Sequence, residues 1–345
     1  MQAQTKLYEG KPLEALWGIY HEEIPPIIEA LALTPPMQRL RDVGMNCGCE
    51  YTSYARFERL LAYSRYTHSI GVGLIVWHFT RDEKQAAAGL LHDVATPTFA
   101  HVVDFLRGDY LTQEATEDGT RQTIAESPEI QAVLARFRLS TEDVCDYHRY
   151  PIADNDSPRL SADRLEYTLG NLMNFHLGAA EEAKALYDAL VVTKNEEGQP
   201  ELAFSEAQSA LRFAEIALAC AEVYVSDEDR YAMQMLSELL KEAMEDGAVT
   251  EAALMGTEQE LIETLCRSPK WHARWDSYRA LHQLETSPVP IGPDWRCIDA
   301  KRRCIDPMIA GKGRVSEAFP EFGDQLHAFR TRKLDYWMKE KDLDC

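Results

Sequence analysis

The segment AAAGLLHDVATPTFAHVVD, residues 86–104, decides how the rest of the chain is read. Its opening run, Ala86-Ala87-Ala88-Gly89-Leu90-Leu91, has the small and apolar side chains of a helix that neighbours can approach closely, and it carries His92 and Asp93 into an apolar setting. An ionised carboxylate at the end of such a run is costly unless it is paired or binds a metal. A lone His-Asp pair also has an ordinary explanation, with Asp93 capping or pairing locally and His92 a satisfied core histidine. The balance shifts because His68 in SRYTHSIGVGL (64–74) and Asp163 in LSADRLEYTLGNL (160–172) sit in apolar helical frames of their own, marked by Ile70, Val72 and Leu74 and by Leu160, Leu165 and Leu169. Buried polar groups at three separate places point to one shared partner, and a hydrolytic metal site needs imidazoles and carboxylates converging from different helices. His101 and Asp104 add an imidazole and a carboxylate three residues apart, on one helix face.

Outward from this segment, apolar residues recur every three or four positions, so the fold class is mainly α. Helices are expected at about 26–33, 36–45, 60–79, 82–95, 97–107, 128–138, 141–149, 161–176, 205–225, 227–246 and 258–266. YDALVVTKNEEGQPELAFS (187–205) breaks the pattern: β-prone runs near 189–193 and 201–204 flank a Glu-Glu-Gly-Gln-Pro turn and read as a small hairpin. Beyond about 268, Pro, Trp, Cys and Arg become frequent and helical periodicity weakens, which predicts an irregular C-terminal region wrapping the helical body. Residues 1–180 are read as the core that carries the chemistry, 181–267 as a hairpin and helical extension of the same body, and 268–345 as a wrapping or oligomerisation region.

Thirty-six Lys and Arg against fifty-seven Asp and Glu leave a net charge of −21 over 345 residues. That field repels nucleic acid and anionic lipid, so neither is an expected partner, and a phosphate-bearing small molecule can bind only where a metal or a few local cations reverse the sign. The short basic cluster Lys301-Arg302-Arg303 reads as a solvated turn. The eight cysteines form no CxxC pair and no run of 18 apolar residues escapes a charge, which reads as a cytoplasmic chain with buried, unpaired thiols.

The order H…HD…D resembles the HD-domain metal-dependent phosphohydrolases, and within them the subgroup of deoxynucleoside triphosphate triphosphohydrolases. TPPMQRLRDVG (34–44) resembles that subgroup's entry segment, SRYTHSIGVG its first-His helix, LLHDVATPTFAHVVD its HD helix, SADRLEYTLGN its final-Asp helix and CIDPMIAGKGRVSE (304–317) a C-terminal segment. The resemblance runs from about residue 16 to about 325. It implies an HD-domain helical bundle in which His68, His92, Asp93 and Asp163 hold one divalent ion, Mn, Fe, Co, Ni, Zn or Mg. It further implies that Arg65, Arg164, Tyr167 and Asn171 contact substrate, that His101 held by Asp104 protonates the leaving oxygen, and that the chain is a homodimer or homotetramer.

The departures bear on the substrate. Thr96 stands where the subgroup has a second histidine in the HD helix, and Thr116-Glu117 where it has a further His-Glu pair. Met45-Asn46 replaces a Gln-Leu pair and Asn171 an Asp. The expected activity is therefore phosphohydrolysis of a nucleotide or related phosphate ester. The alternatives are a non-catalytic nucleotide-sensing or assembly protein and, further off, a di-iron oxygenase of the same fold. His148 is expected to pack or cap a helix end.

Overall fold

The computed structural model describes residues 12–107 and 119–341, and Thr116 and Glu117 lie outside them. In chain order the first helices are α1 (Ala15–Tyr20), α2 (Pro26–Ala32), α3 (Pro35–Arg39), α4 (Arg65–Thr80), α5 (Glu83–Leu91) and α6 (Val102–Arg107). Then come α7 (Thr120–Glu126), α8 (Pro128–Arg136), α9 (Thr141–Val144), α10 (Ala162–Asn174), α11 (Ala180–Asp188), β1 (Leu190–Lys194), β2 (Pro200–Phe204), α12 (Ala207–Tyr224) and α13 (Asp227–Glu245). The C-terminal part holds α14 (Glu258–Cys266), α15 (Pro269–Arg279), β3 (Leu284–Ser287), β4 (Met308–Ile309), β5 (Gly313–Arg314), α16 (Val315–Ala318), α17 (Pro320–Thr331) and β6 (Trp337–Glu340). The fold is mainly α with small sheets. Among the described residues no helix is long and apolar enough to cross a membrane.

The pair α4 and α5 forms the centre. Ser64 caps α4 by accepting from the Thr67 amide, and Asp82 caps α5 by accepting from Lys84 and Gln85. Gly73 and Gly89 let the two helices close on each other: a Cβ on Gly73 would lie 3.2 Å from Leu90 Cβ, and one on Gly89 3.1 Å from Val76. The small-residue run 86–91 is thus used as its composition predicts. Helix α4 begins at 65 rather than 60, because Ser64 is extended and the backbone of 63–65 pairs with that of 43–45. Helix α5 ends at Leu91, so His92 and Asp93 stand on the turn that follows and not on the helix. Phe99 and Ala100 adopt positive φ (58° and 45°), so the helix expected over 97–107 starts at Val102.

The expected hairpin is present, with Leu190 opposite Phe204, and it is extended: β2 pairs in parallel with β4, which pairs with β5. Much of 288–307 is irregular, as the composition indicates. Beyond residue 268 the described residues also form three helices, α15, α16 and α17, and α15 aims Trp271, Trp275 and Tyr278 inward at one-turn spacing. Those aromatics and Trp295 are buried within the chain, so their composition is no argument for an interface.

Two apolar cores result. The first gathers α1, α2, α4, α5, α10 and α12, and the second gathers α13, α14 and α15 with residues 47–57 and 99–105. The described cysteines are free thiols; Cys47, Cys49, Cys220 and Cys304 are buried and Cys297 is exposed. The cleft described next lies in the seam between the cores.

Candidate metal centre and its cleft

His68 on α4, His92 just past α5 and Asp163 in the first turn of α10 converge. His68 Nε2 lies 3.0 Å from Asp163 Oδ1 and 3.3 Å from His92 Nε2, and His92 Nε2 lies 3.7 Å from Asp163 Oδ1. Both imidazoles are anchored from behind. His92 Nδ1 donates to the Gly89 carbonyl at 2.7 Å, and His68 Nδ1 donates to Glu166 Oε2 at 2.5 Å. Each ring therefore turns its Nε2 lone pair inward, toward a carboxylate oxygen and the other ring. Acceptor atoms packed this closely repel unless a proton or a metal ion lies among them. In the metal-free chain a proton does so: burial opposes a charged His68, yet Glu166 and Asp163 outweigh it and hold the imidazole up to about 10. Asp163 would be raised by burial, but His68 and His92 hold it well below the usual carboxylate range.

Asp93 joins from the side, its Oδ2 3.5 Å from His92 Nε2 and 3.9 Å from His68 Nε2. The same oxygen accepts from Arg65 Nη1 at 2.9 Å, and Oδ1 accepts from the Thr96 hydroxyl at 2.8 Å. Burial alone would raise the Asp93 carboxyl, and Arg65 together with the two histidines brings it far below its ordinary value. Thr96 thus fixes Asp93. Arg65 is buried against Asp93 where it lines the cleft, and its Nε has no hydrogen-bond partner among the described residues.

Glu166 is a site residue that the sequence motifs do not single out. It is buried, accepts from Tyr63 as well as His68, and fills the space over Gly71, where a Cβ would meet its Cγ at 2.6 Å. A glutamate three residues after Asp163, on the same helix face and inside an apolar frame, is the available signal.

His101 faces the same cavity. Its Nδ1 donates to Asp104 Oδ2 at 2.8 Å, and its Nε2 accepts from Arg303 Nη2 at 3.0 Å. Burial pushes this imidazole down; Asp104 opposes that, Arg303 and Arg65 reinforce it, and the result is about 4. The unliganded His101 is neutral with both nitrogens engaged. Arg303, expected in a solvated basic turn, is instead part of the cleft.

The cavity around these groups, about 180 Å³, is also lined by Met45, Asn46, Tyr167, Asn171, Phe175 and Tyr224. Asn171 donates to the Tyr224 hydroxyl at 2.7 Å and accepts from Asn174. The cavity opens into an outer, more polar one of about 840 Å³, and the two share Tyr147, Asp163, Tyr167, Lys301 and Arg303. Arg164 lines only the outer one, bonded to Asp154 at 2.9 Å, to Asn155 and to Ser161. His148 lines it too, its Nδ1 donating to Asp154 Oδ2 at 2.8 Å. Asp229, also on the inner wall, is raised to about 7 by burial, and no sequence motif marks it.

No family model matches the chain. The Bacillus subtilis (strain 168) protein YdhJ, uncharacterised, is 27% identical over 255 residues, 73% of this chain and 74% of its own length. The metal-dependent phosphohydrolase cns2 of Cordyceps militaris is 24% identical over 321 residues, 87% of this chain and 86% of its own. A solved phosphohydrolase structure from Bacteroides thetaiotaomicron VPI-5482 shares the fold, with a TM-score of 0.60 at 15% identity over 92% of this chain and 97% of that one.

Proposed function

We propose that the chain is a metal-dependent phosphohydrolase of the HD type that acts on a nucleotide or a related phosphate ester. The observation that carries this reading is the convergence of His68 Nε2, His92 Nε2 and Asp163 Oδ1, with both rings anchored at Nδ1 and all their lone pairs aimed at one point. With Asp93 Oδ2 beside them, the donors fit one divalent ion of the Mn, Fe, Co, Ni, Zn or Mg group, whose identity metal analysis will give. When bound, such an ion polarises a phosphoryl oxygen and makes a water acidic enough to attack. The relative named a metal-dependent phosphohydrolase, aligned over most of its length, supports the same chemistry.

The chain's own groups supply the rest. Glu166 and the Gly89 carbonyl fix the two imidazoles, so ligand geometry is set before substrate arrives. Arg65 and Arg303 neutralise charge on the phosphoryl oxygens. His101, oriented by Asp104, gives its proton to the leaving oxygen. The wall of Tyr167, Phe175 and Tyr224 with the Asn46 and Asn171 amides suits a flat, hydrogen-bonding ring, which supports a nucleotide over a simple sugar phosphate. Arg164 and His148 suit a contact further out. In this reading residues 1–180 carry the catalytic core, with 181–267 and 268–345 closing it, and the enzyme is a homodimer or homotetramer, to be checked by light scattering.

The test is phosphate release from a panel of nucleotides with each of several divalent metals. Release that requires a metal and is lost in His92→Ala supports the reading. Full metal occupancy in that variant, or no release from any nucleotide by the wild type, overturns it, the latter in favour of a nucleotide-sensing protein on the same fold.

A further inference from the structure

Arg303 reaches His101 across 202 residues of sequence, from an irregular strap that runs over the mouth of the cleft. The strap is pinned on both sides of it. Arg302 donates to Asp299 at 3.0 Å and to the Arg332 carbonyl at 2.7 Å, the Cys304 carbonyl accepts from Ser157 at 3.0 Å, and the Asp306 amide donates to the Pro158 carbonyl at 2.8 Å. The Arg303 side chain can therefore change partners without moving its backbone. It lines both the inner cavity and the outer one, at their junction, beside Asp163 and Tyr167.

This contact raises a chemical difficulty. A proton donor to the leaving oxygen must carry a proton on Nε2, and in the unliganded chain that nitrogen is an acceptor, held by a permanent cation. Among the described residues the charged and titratable groups around the ring are Asp104 on α6, Arg303 on the strap, Arg65 on α4 and Cys47, whose thiol lies against the His101 backbone, with Asp229 of α13 on the same wall. Burial and the two cations, Arg303 and Arg65, outweigh the Asp104 carboxylate on Nδ1 and disfavour the imidazolium until an anion enters.

Resting on the phosphohydrolase reading, we infer that Arg303 is a positioning residue: an entering phosphoryl group draws its guanidinium off His101 Nε2, and His101 changes from hydrogen-bond acceptor to proton donor only with substrate in place. At the His101 contact a phosphate dianion offers several charge-assisted acceptors where the ring offers one neutral nitrogen, so the exchange at that contact runs toward the anion. His101 then takes a proton from solvent on Nε2. As the bond between the attacking water oxygen and phosphorus forms, the bond from phosphorus to the leaving oxygen breaks. The leaving oxygen keeps that electron pair and receives the His101 proton, and the proton released by the water returns to solvent. The unliganded site is thereby kept from offering an acid proton to the wrong molecule.

The experiment follows the His101 ring by NMR in the full chain loaded with diamagnetic Zn²⁺, the resonance being identified by its loss in His101→Gln. Inorganic phosphate is the probe. Phosphate should raise the His101 titration midpoint in the wild type. Arg303→Gln should raise it without phosphate, by at least about tenfold in proton affinity, and leave a smaller further response. Arg303→Lys, which keeps the charge but loses the planar fork, should fall between them. On the best nucleotide substrate, kcat/KM should drop at least about tenfold in Arg303→Gln with partial recovery in Arg303→Lys. A midpoint indifferent to phosphate in the wild type, or unchanged in Arg303→Gln, overturns the inference. The titration needs no turnover, so a chain inert toward every nucleotide refutes the enzymatic reading while the titration still decides the role of Arg303.

Discussion

Replacing Gly71 with alanine is a small change with a large expected effect. In an open helix Gly→Ala stabilises by about 1 kcal/mol through helix propensity. Here the new methyl would lie 2.6 Å from Glu166 Cγ, 2.7 Å from Oε1 and 2.9 Å from Cδ. Glu166 cannot swing aside cheaply, because it is buried and held by Tyr63 at 2.6 Å and His68 at 2.5 Å. Overpacking of this kind costs about 1–3 kcal/mol. A buried charge-assisted hydrogen bond, if broken, adds about 1.5–3 kcal/mol. The clash and the lost bond outweigh the propensity gain, and Gly71→Ala should destabilise the metal-free protein by about 1.5–5 kcal/mol. Because Glu166 orients a metal-ligating imidazole, metal affinity should also fall by about 10–100-fold. Urea unfolding of the apoprotein and a chelator competition measure the two effects. A variant as stable as wild type, with unchanged metal affinity, would refute the argument that Glu166 is wedged between Gly71 and His68 and fixes the ring.

Asp93→Ala should lose metal, seen by mass spectrometry of the purified protein. It should also destabilise the apoprotein by about 3–5 kcal/mol, since Arg65 is left as an uncompensated buried cation. His101→Ala should lower turnover by about 10²–10⁴ with metal content intact, and Asp104→Asn should show a smaller loss of the same kind; near-wild-type phosphate release would return His101 to a packing role. In the metal-free chain the His68 midpoint, about 10, lies above its ordinary 6.5, so its contribution to stability is fully present below about pH 6.5 and is lost as pH rises through 10. A metal must displace that proton, so affinity by chelator competition should climb by up to about tenfold per pH unit between 7 and 10; a flat profile would mean His68 is already neutral.

The cluster proposed to hold a metal is legible because each member is a polar residue in an apolar helical frame, a contradiction that sequence alone exposes at His68, His92 and Asp163. Helices α12, α13 and α14 match expectation within two residues at either end, since continuous amphipathic periodicity is a local property. Around residues 60–64 and 97–101 the expectation fails because tertiary pairing with 43–45 and the positive φ angles at Phe99 and Ala100 override local helical preference. Helix α15 escapes the periodicity although Trp271, Trp275 and Tyr278 carry it, because Pro269 before them and His272, Arg274 and Asp276 between them dilute the signal. Glu166 and Arg303 lie beyond sequence reading for different reasons. Glu166 matters through what it holds, and Arg303 through a neighbour 202 positions away.

The pairing of β2 with β4 has a consequence for biogenesis. Residues 203–204 dock on 308–309, roughly a hundred positions later, and that docking fixes the end of the strap that bears Arg303. A nascent chain emerging through residue 300 has already released the proposed metal ligands and helices α1 to α15. It lacks β4, β5 and the strap. Long-range closures of this kind are entropically late, so metal capture can precede completion of the cleft during synthesis. The open edge of β2 is then the exposed template in that interval, and a chaperone or a second nascent chain would meet it before β4 does.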